Sequence, residues 1–81
     1  MTYIVPYKDL IEGALVRARG ALDKAQHNVQ ILRERLAKAE EEKDEATVTE
    51  MTGYLDDLNR YVTEVEKLIA DLKKGLEQTD A

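Results

Sequence analysis

Two apolar tracks with heptad spacing constrain the fold of this chain more than any other feature. In the first track, apolar residues recur in alternating steps of four and three, and its members are Ile11, Leu15, Ala18, Leu22, Ala25, Val29, Leu32, Leu36 and Ala39. The second track has the same spacing, and its members are Val48, Met51, Leu55, Leu58, Val62, Val65, Ile69, Leu72 and Leu76. This spacing places side chains on one face of an α-helix, so each track predicts a long helix with a coiled-coil seam. These eighteen residues are called the seam below.

The two tracks are out of register with each other, which requires a break between them. Continuing the first track would place Lys43, Ala46, Glu50 and Gly53 in the seam, where none of them suits an apolar core. One possible fold is a single rod with a register break, about 105 Å long at a rise of 1.5 Å per residue. The other is a chain that reverses direction and forms a helical hairpin.

The pairing of the two tracks favours the hairpin. When the chain folds back near Lys43, every seam residue meets a seam residue of the other track, and the resulting layers are Ala39/Val48, Leu36/Met51, Leu32/Leu55, Val29/Leu58, Ala25/Val62, Leu22/Val65, Ala18/Ile69, Leu15/Leu72 and Ile11/Leu76. Each alanine meets a β-branched residue, so small side chains lie opposite larger ones, as an evenly packed core requires. We therefore predict an all-α fold, an antiparallel helical hairpin of the coiled-coil type.

The segment between the tracks carries the start signals of a second helix. Either Asp44 caps that helix, or Thr47 caps it with Glu50 three residues later as a capping box. The predicted organisation is an N-terminal extended segment over 1–6 and a helical hairpin over 7–78, followed by a loose tail over 79–81. Within the hairpin we expect helix 1 over about 7–42, a turn over about 43–46 and helix 2 over about 47–77. Pro6 suits the first helical position, and the apolar residues before it either cover the open end of the hairpin, contact a neighbour or fray.

One side of the seam is polar. These e positions, called the e flank, are Glu12, Arg19, Gln26, Arg33 and Glu40 on the first helix and Thr52, Asn59, Glu66 and Lys73 on the second. In the hairpin, opposite charges meet at Glu12/Lys73 and at Arg19/Glu66. Exposed pairs of this kind contribute only about 0.2–1 kcal/mol each, but they help to select the orientation of the helices. The e flank is therefore predicted to face solvent.

The other side of the seam is apolar on the second helix. These g positions, called the g flank, are Ala14, Ala21, Asn28 and Arg35 on the first helix and Tyr54, Tyr61, Leu68 and Gly75 on the second. An apolar face that spans the a, d and g positions is wider than a two-helix seam needs and suits a four-helix bundle. Tyrosine is also enriched at protein interfaces. We predict that the g flank binds a second copy of the chain, although these residues would also serve to widen the intramolecular seam.

The composition of the chain does not favour a catalytic site or a metal site. The chain has no Cys and no Ser, and its one histidine, His27, falls at an f position that points away from the seam. The carboxylates of residues 40–45 lack the spacing of a calcium loop. We therefore predict no catalytic residues, no metal and no cofactor, and we do not expect an enzyme.

The charge and hydropathy of the chain disfavour two kinds of partner, nucleic acid and membrane. The formal net charge is −5 and the pI is about 4.8, which disfavours binding to a phosphate backbone. No apolar run approaches the ~20 residues of a membrane-spanning helix, and residues 1–6 do not resemble a signal peptide. We expect a cytoplasmic protein that binds neither nucleic acid nor membrane.

The function predicted from these features is a non-catalytic protein–protein interaction module. It would be a small homodimeric helical hairpin that acts as an adaptor, or as a regulator or inhibitor of a larger protein, a kind common in phages and bacteria by analogy of size and fold alone. One alternative is a structural coiled-coil subunit that scaffolds a hetero-assembly. A second alternative is an RNA-binding hairpin dimer, which the acidic charge disfavours.

Overall fold

Two antiparallel α-helices make up the part of the chain that the computed structural model describes, residues 6–79. Helix α1 spans Tyr7–Glu41 and helix α2 spans Glu45–Thr79, each with 35 residues. The principal extents are 62 × 27 × 14 Å, far short of the single rod of about 105 Å that an unbroken helix would give. The structure confirms the predicted all-α helical hairpin. Residues 1–5 of the extended segment predicted over 1–6, and the tail residues 80–81, lie outside the described part.

The seam forms the contact between the two helices. All eighteen of its residues lie in the described part of the chain and none is exposed. Half of them are buried, and these are Ile11, Leu15, Ala18, Ala25, Val29, Ala39, Leu55, Val65 and Ile69. The other half remain partly accessible to solvent. The contact between the two helices therefore covers the apolar tracks as predicted, but it leaves half of the seam residues partly accessible to solvent.

The register of the hairpin agrees with the predicted layers in the half nearest the chain termini. One packed cluster contains Leu15, Ala18, Val65 and Ile69, with Leu22 and Leu72 against it, which are the members of three consecutive predicted layers. Near the open end, a Cβ atom added to Gly75 would lie 3.7 Å from the Ile11 Cδ1 atom. Gly75 thus packs beside Ile11, which the predicted pairing places opposite Leu76, the next residue after Gly75.

A left-handed residue ends α1 and reverses the chain. Lys43 has a φ of 57°, its N–H donates to the Glu40 carbonyl at 3.2 Å, and the Asp44 N–H donates to the Ala39 carbonyl at 2.9 Å. This pair of bonds is the Schellman motif, which satisfies the last carbonyl groups of a helix. Glycine usually occupies this left-handed position. Here Lys43 occupies it, and the chain reverses as predicted although the segment contains no glycine.

Asp44 caps the N-terminus of α2. Its Oδ1 accepts a hydrogen bond from the Thr47 N–H at 3.2 Å, and its Oδ2 accepts one from the Thr47 hydroxyl at 2.6 Å. Thr47 is consequently the third helical residue and not the cap, so of the two possible caps the structure contains Asp44. The turn occupies residues 42–44, and α2 begins two residues earlier and ends two residues later than the predicted 47–77.

Pro6 lies immediately before α1, one residue ahead of the helical position predicted for it. Its carbonyl accepts the first helical hydrogen bond, from the Leu10 N–H at 3.2 Å. Proline is tolerated there because the amides at the start of a helix have no intrahelical partner. Helix α1 therefore starts at Tyr7, directly after Pro6, which has no backbone N–H to donate.

Candidate protein interface

A row of large, exposed apolar side chains runs along α2. Tyr54, Tyr61 and Leu68 have exposed fractions of 51%, 45% and 49%. They recur every seven residues, so they point in nearly the same direction and follow one another at intervals of about 10.5 Å. All three are predicted g-flank residues. They form a half-exposed apolar ridge beside the buried seam.

Smaller side chains of α1 border this ridge. Ala14 and Ala21 are partly buried, as is Gly75 on α2, whereas Asn28 and Arg35 are exposed. A groove of about 400 Å³ opens between the helices, and it is lined by Arg17, Gly20, Ala21, Lys24, Ala25, Asn28, Leu58 and Tyr61. Three g-flank residues, Ala21, Asn28 and Tyr61, line this groove together. The α2 side of the groove is formed by Leu58 and Tyr61, and the α1 side combines the small residues Gly20, Ala21 and Ala25 with the longer Arg17 and Lys24.

Tyr54 has a polar contact at the tip of its ring. The hydroxyl group bonds to Glu50, one turn earlier in α2, and the neighbouring carboxylate raises the pKa of Tyr54 above its ordinary value. The Tyr54 ring is thus half exposed, and its hydroxyl lies beside the Glu50 carboxylate. This combination of apolar ring and polar tip suits a protein interface, where both parts find partners.

Tyr7 extends the g flank, and the sequence analysis did not identify it. This residue is the first in α1 and is 67% exposed, and the nearby Leu10 is 55% exposed. Tyr7 precedes Ala14 by seven residues, so it occupies a g position. Counting one heptad back from Ala14 would have found it, but the apolar track starts only at Ile11. The two side chains add apolar surface to the g flank at the open end of the hairpin.

The opposite side of the hairpin differs in composition. All nine e-flank residues are exposed, and all are polar or charged. Val16 is 68% exposed, but it lies alone at a b position beyond this edge. The ion pairs expected there remain a prediction. The e flank offers solvent-compatible side chains, so the apolar surface of the hairpin is concentrated on the g flank.

Within residues 6–79, no group of three or more His, Asp or Glu side chains is arranged to hold a metal ion, and His27 is exposed on α1. The pKa of Asp44 is lowered by its hydrogen bonds to Thr47, which is a property of the helix cap. Neither of the two described helices has a segment apolar enough to cross a membrane.

No protein-family model, curated protein or solved structure matches this chain. The feature that distinguishes one side of this hairpin from the other is the ridge of Tyr54, Tyr61 and Leu68 with the small residues beside it.

Proposed function

We propose that this protein is a non-catalytic protein–protein interaction module that works as a homodimer. Two hairpins pack through their g flanks into a four-helix bundle, and the outer surfaces of the bundle engage a larger protein as an adaptor or regulator. The observation that carries the proposal is the ridge of three apolar side chains, each about half exposed, along one side of α2. Exposed large apolar side chains that are concentrated on one side of a small protein are typical of an interaction surface.

The incomplete burial of the seam supports association. The most buried core residue, Ala25, is still 3% exposed, and no large side chain of the described chain is fully buried. Small domains bury a low fraction of their surface, and a two-helix seam is a poor core by itself. A second hairpin against the g flank would cover the ridge and the partly accessible d-position residues beside it, which are Leu32, Met51, Leu58 and Leu72. Two-fold pairing of helical hairpins is a common way to complete such a core.

A substitution on the ridge tests this proposal. We expect Tyr61→Glu to dissociate the dimer, because the new carboxylate would have to be buried without a partner in the centre of the interface. Sedimentation equilibrium measures the dissociation constant, which should rise at least about a hundredfold, since unpaired buried charges cost several kcal/mol. Circular dichroism at high concentration shows whether the variant still forms helices.

Val16→Glu is the matched control. It introduces the same carboxylate at an exposed apolar residue of α1 that lies away from the g flank, so the dissociation constant should not change. Arg33→Glu on the e flank should likewise preserve the dimer. Equal dimer stability in all three variants would refute the assignment of the g flank as the interface.

The other functional classes predict different results for the unmodified chain. A scaffold subunit of a hetero-assembly would be a monomer with a broad, weakly cooperative unfolding transition when isolated. An RNA-binding dimer would shift nucleic acid at moderate salt, which the net charge of −5 disfavours. A dimer that unfolds cooperatively and leaves RNA unbound is the result that this proposal requires.

A further inference from the structure

The g flank is bordered by charges of opposite sign on its two sides. The c positions lie next to the g positions on the outer surface of each helix. On α1 the charged residues at these positions are all basic, and they are Arg17, Lys24 and Lys38; on α2 they are all acidic, and they are Glu50, Asp57, Glu64 and Asp71. All seven side chains are exposed. The candidate interface therefore has a basic border along α1 and an acidic border along α2.

The basic and acidic residues also match in height along the hairpin. Lys24 lies between the seam residues Leu22 and Ala25 on α1. Glu64 lies between Val62 and Val65 on α2, so both charges fall between the same two seam layers. The same relation holds between successive layers for two further pairs, which are Arg17 with Asp71 and Lys38 with Glu50. Within one hairpin these charges lie on opposite borders of the g flank. They would meet only across a contact between two hairpins.

Two symmetric arrangements can bring two g flanks face to face. In the first, the two-fold axis runs parallel to the helices, so α1 of each copy packs on α2 of the other at the same height. In the second, the axis runs across the helices, so α1 packs on α1 and α2 on α2. The first places the basic border of each copy on the acidic border of its partner, whereas the second places like charges together. Like charges at an interface oppose association.

The sizes of the g-flank residues favour the same arrangement. With α1 on the partner's α2, the small Ala21 faces the large Leu68 of the other copy, and Asn28 faces Tyr61. With like helices together, the ridge of Tyr54, Tyr61 and Leu68 would meet the same ridge of the partner, and the smaller residues Ala14 and Ala21 would not lie opposite it. Interfaces pack as densely as protein interiors, so large residues have to lie opposite small ones.

We infer that the proposed homodimer has its two-fold axis parallel to the helices, with α1 of each copy packed on α2 of the other. In this arrangement Arg17, Lys24 and Lys38 of one copy lie beside Asp71, Glu64 and Glu50 of its partner. The apolar ridge supplies the attraction, and the charged borders select the arrangement. This inference rests on the proposed homodimer and adds to it the orientation of the second copy.

Charge reversal at Lys24 and Glu64 tests the inference. Lys24→Glu should weaken the dimer, and so should Glu64→Lys, by about tenfold each at low salt, because each variant creates two symmetry-related pairs of like charges. A chain that carries both substitutions restores both pairs and should return to within about threefold of the unmodified dissociation constant. Raising the salt concentration should shrink the differences, since the pairs are exposed. Arg33→Glu and Asp56→Lys make the same charge changes away from the g flank and serve as controls.

The possible outcomes separate this inference from the proposal on which it rests. If like helices pack together, each reversed charge lies on a border of the opposite sign or beside its own copy, so neither single reversal weakens the dimer. That result, or a double variant as weak as the single ones, overturns the arrangement while the homodimer stands. An unmodified protein that sediments as a monomer overturns the homodimer and the arrangement together. Weakening by each single reversal, with recovery in the double variant, supports both.

Discussion

Lys43 and Asp44 are the two residues that decide where the chain reverses. Lys43 adopts the left-handed conformation with a φ of 57°, and Asp44 bonds to both the amide and the hydroxyl of Thr47. Together they end one helix and begin the next within three residues. A non-glycine side chain in the left-handed region is strained, by about 1–2 kcal/mol, so the hairpin contains a residue that opposes its own turn.

Replacing Lys43 with glycine should stabilise the protein. Glycine adopts positive φ without steric conflict, and we expect Lys43→Gly to raise the free energy of unfolding by about 0.5–1 kcal/mol after its greater freedom in the unfolded chain is included. Urea unfolding at one fixed protein concentration measures the change. Lys43→Ala removes the same charge but keeps the strain, so it should be less stable than the glycine variant. Equal stabilities would show that the left-handed conformation is not strained.

The Asp44 cap predicts a dependence of stability on acid. Hydrogen bonds from Thr47 hold the native pKa of this carboxyl below its ordinary value of 3.8. The unfolded state therefore binds a proton more readily, and the contribution of Asp44 is present above pH 3.8 and is lost as the pH falls through the lower native pKa. Asparagine also caps helices but does not titrate. Thermal unfolding from neutral pH to pH 2 should show a steeper loss of stability for the unmodified protein than for Asp44→Asn. Parallel curves would contradict the role of the ionised cap.

Sequence alone resolves only part of this turn. The break in register requires a reversal between the two tracks, and Asp44 and Thr47 both qualify as caps. The choice between them depends on where α1 ends, and that end depends on a lysine with no local preference for the left-handed conformation. The closure of the hairpin imposes this conformation, so the information lies in contacts between residues far apart in the sequence.

At the scale of helices, the heptad pattern carries most of the fold. The apolar tracks identify all eighteen seam residues, and none of them is exposed, because burial follows directly from the face on which a side chain lies. The pattern also locates the exposed ridge, since g positions border the seam on one side. It does not identify Tyr7, because an exposed residue that precedes the first seam residue leaves no trace in an apolar track.

The same pattern does not predict how completely each seam side chain is buried. Leu22, Leu58 and Val62 are regular members of the seam, yet they are only partly buried. Two helices in contact cover a strip of surface, and seam residues that point toward one side of it remain accessible. How much of each side chain is covered depends on what lies against the hairpin. The residual exposure is thus a property of the isolated hairpin, which a bundle would change.

At the scale of the whole molecule, the hairpin is elongated and has two unlike sides. Its radius of gyration of 18.4 Å exceeds the ~12 Å expected for a compact chain of this length. One side bears polar e-flank residues, and the other bears the ridge with its oppositely charged borders. A second copy on the g flank would thicken the particle without lengthening it. Shape and mass together therefore report on the proposed assembly.

Sedimentation equilibrium combined with small-angle scattering on the unmodified chain tests whether two hairpins pair through their g flanks. We predict a molar mass of twice 9.2 kDa for a particle about as long as one hairpin, whose longest extent is 62 Å. A monomer of 9.2 kDa at every concentration would contradict pairing through the g flank. A dimer about twice as long as the hairpin would also contradict it, because end-to-end contact would leave the ridge of Tyr54, Tyr61 and Leu68 uncovered.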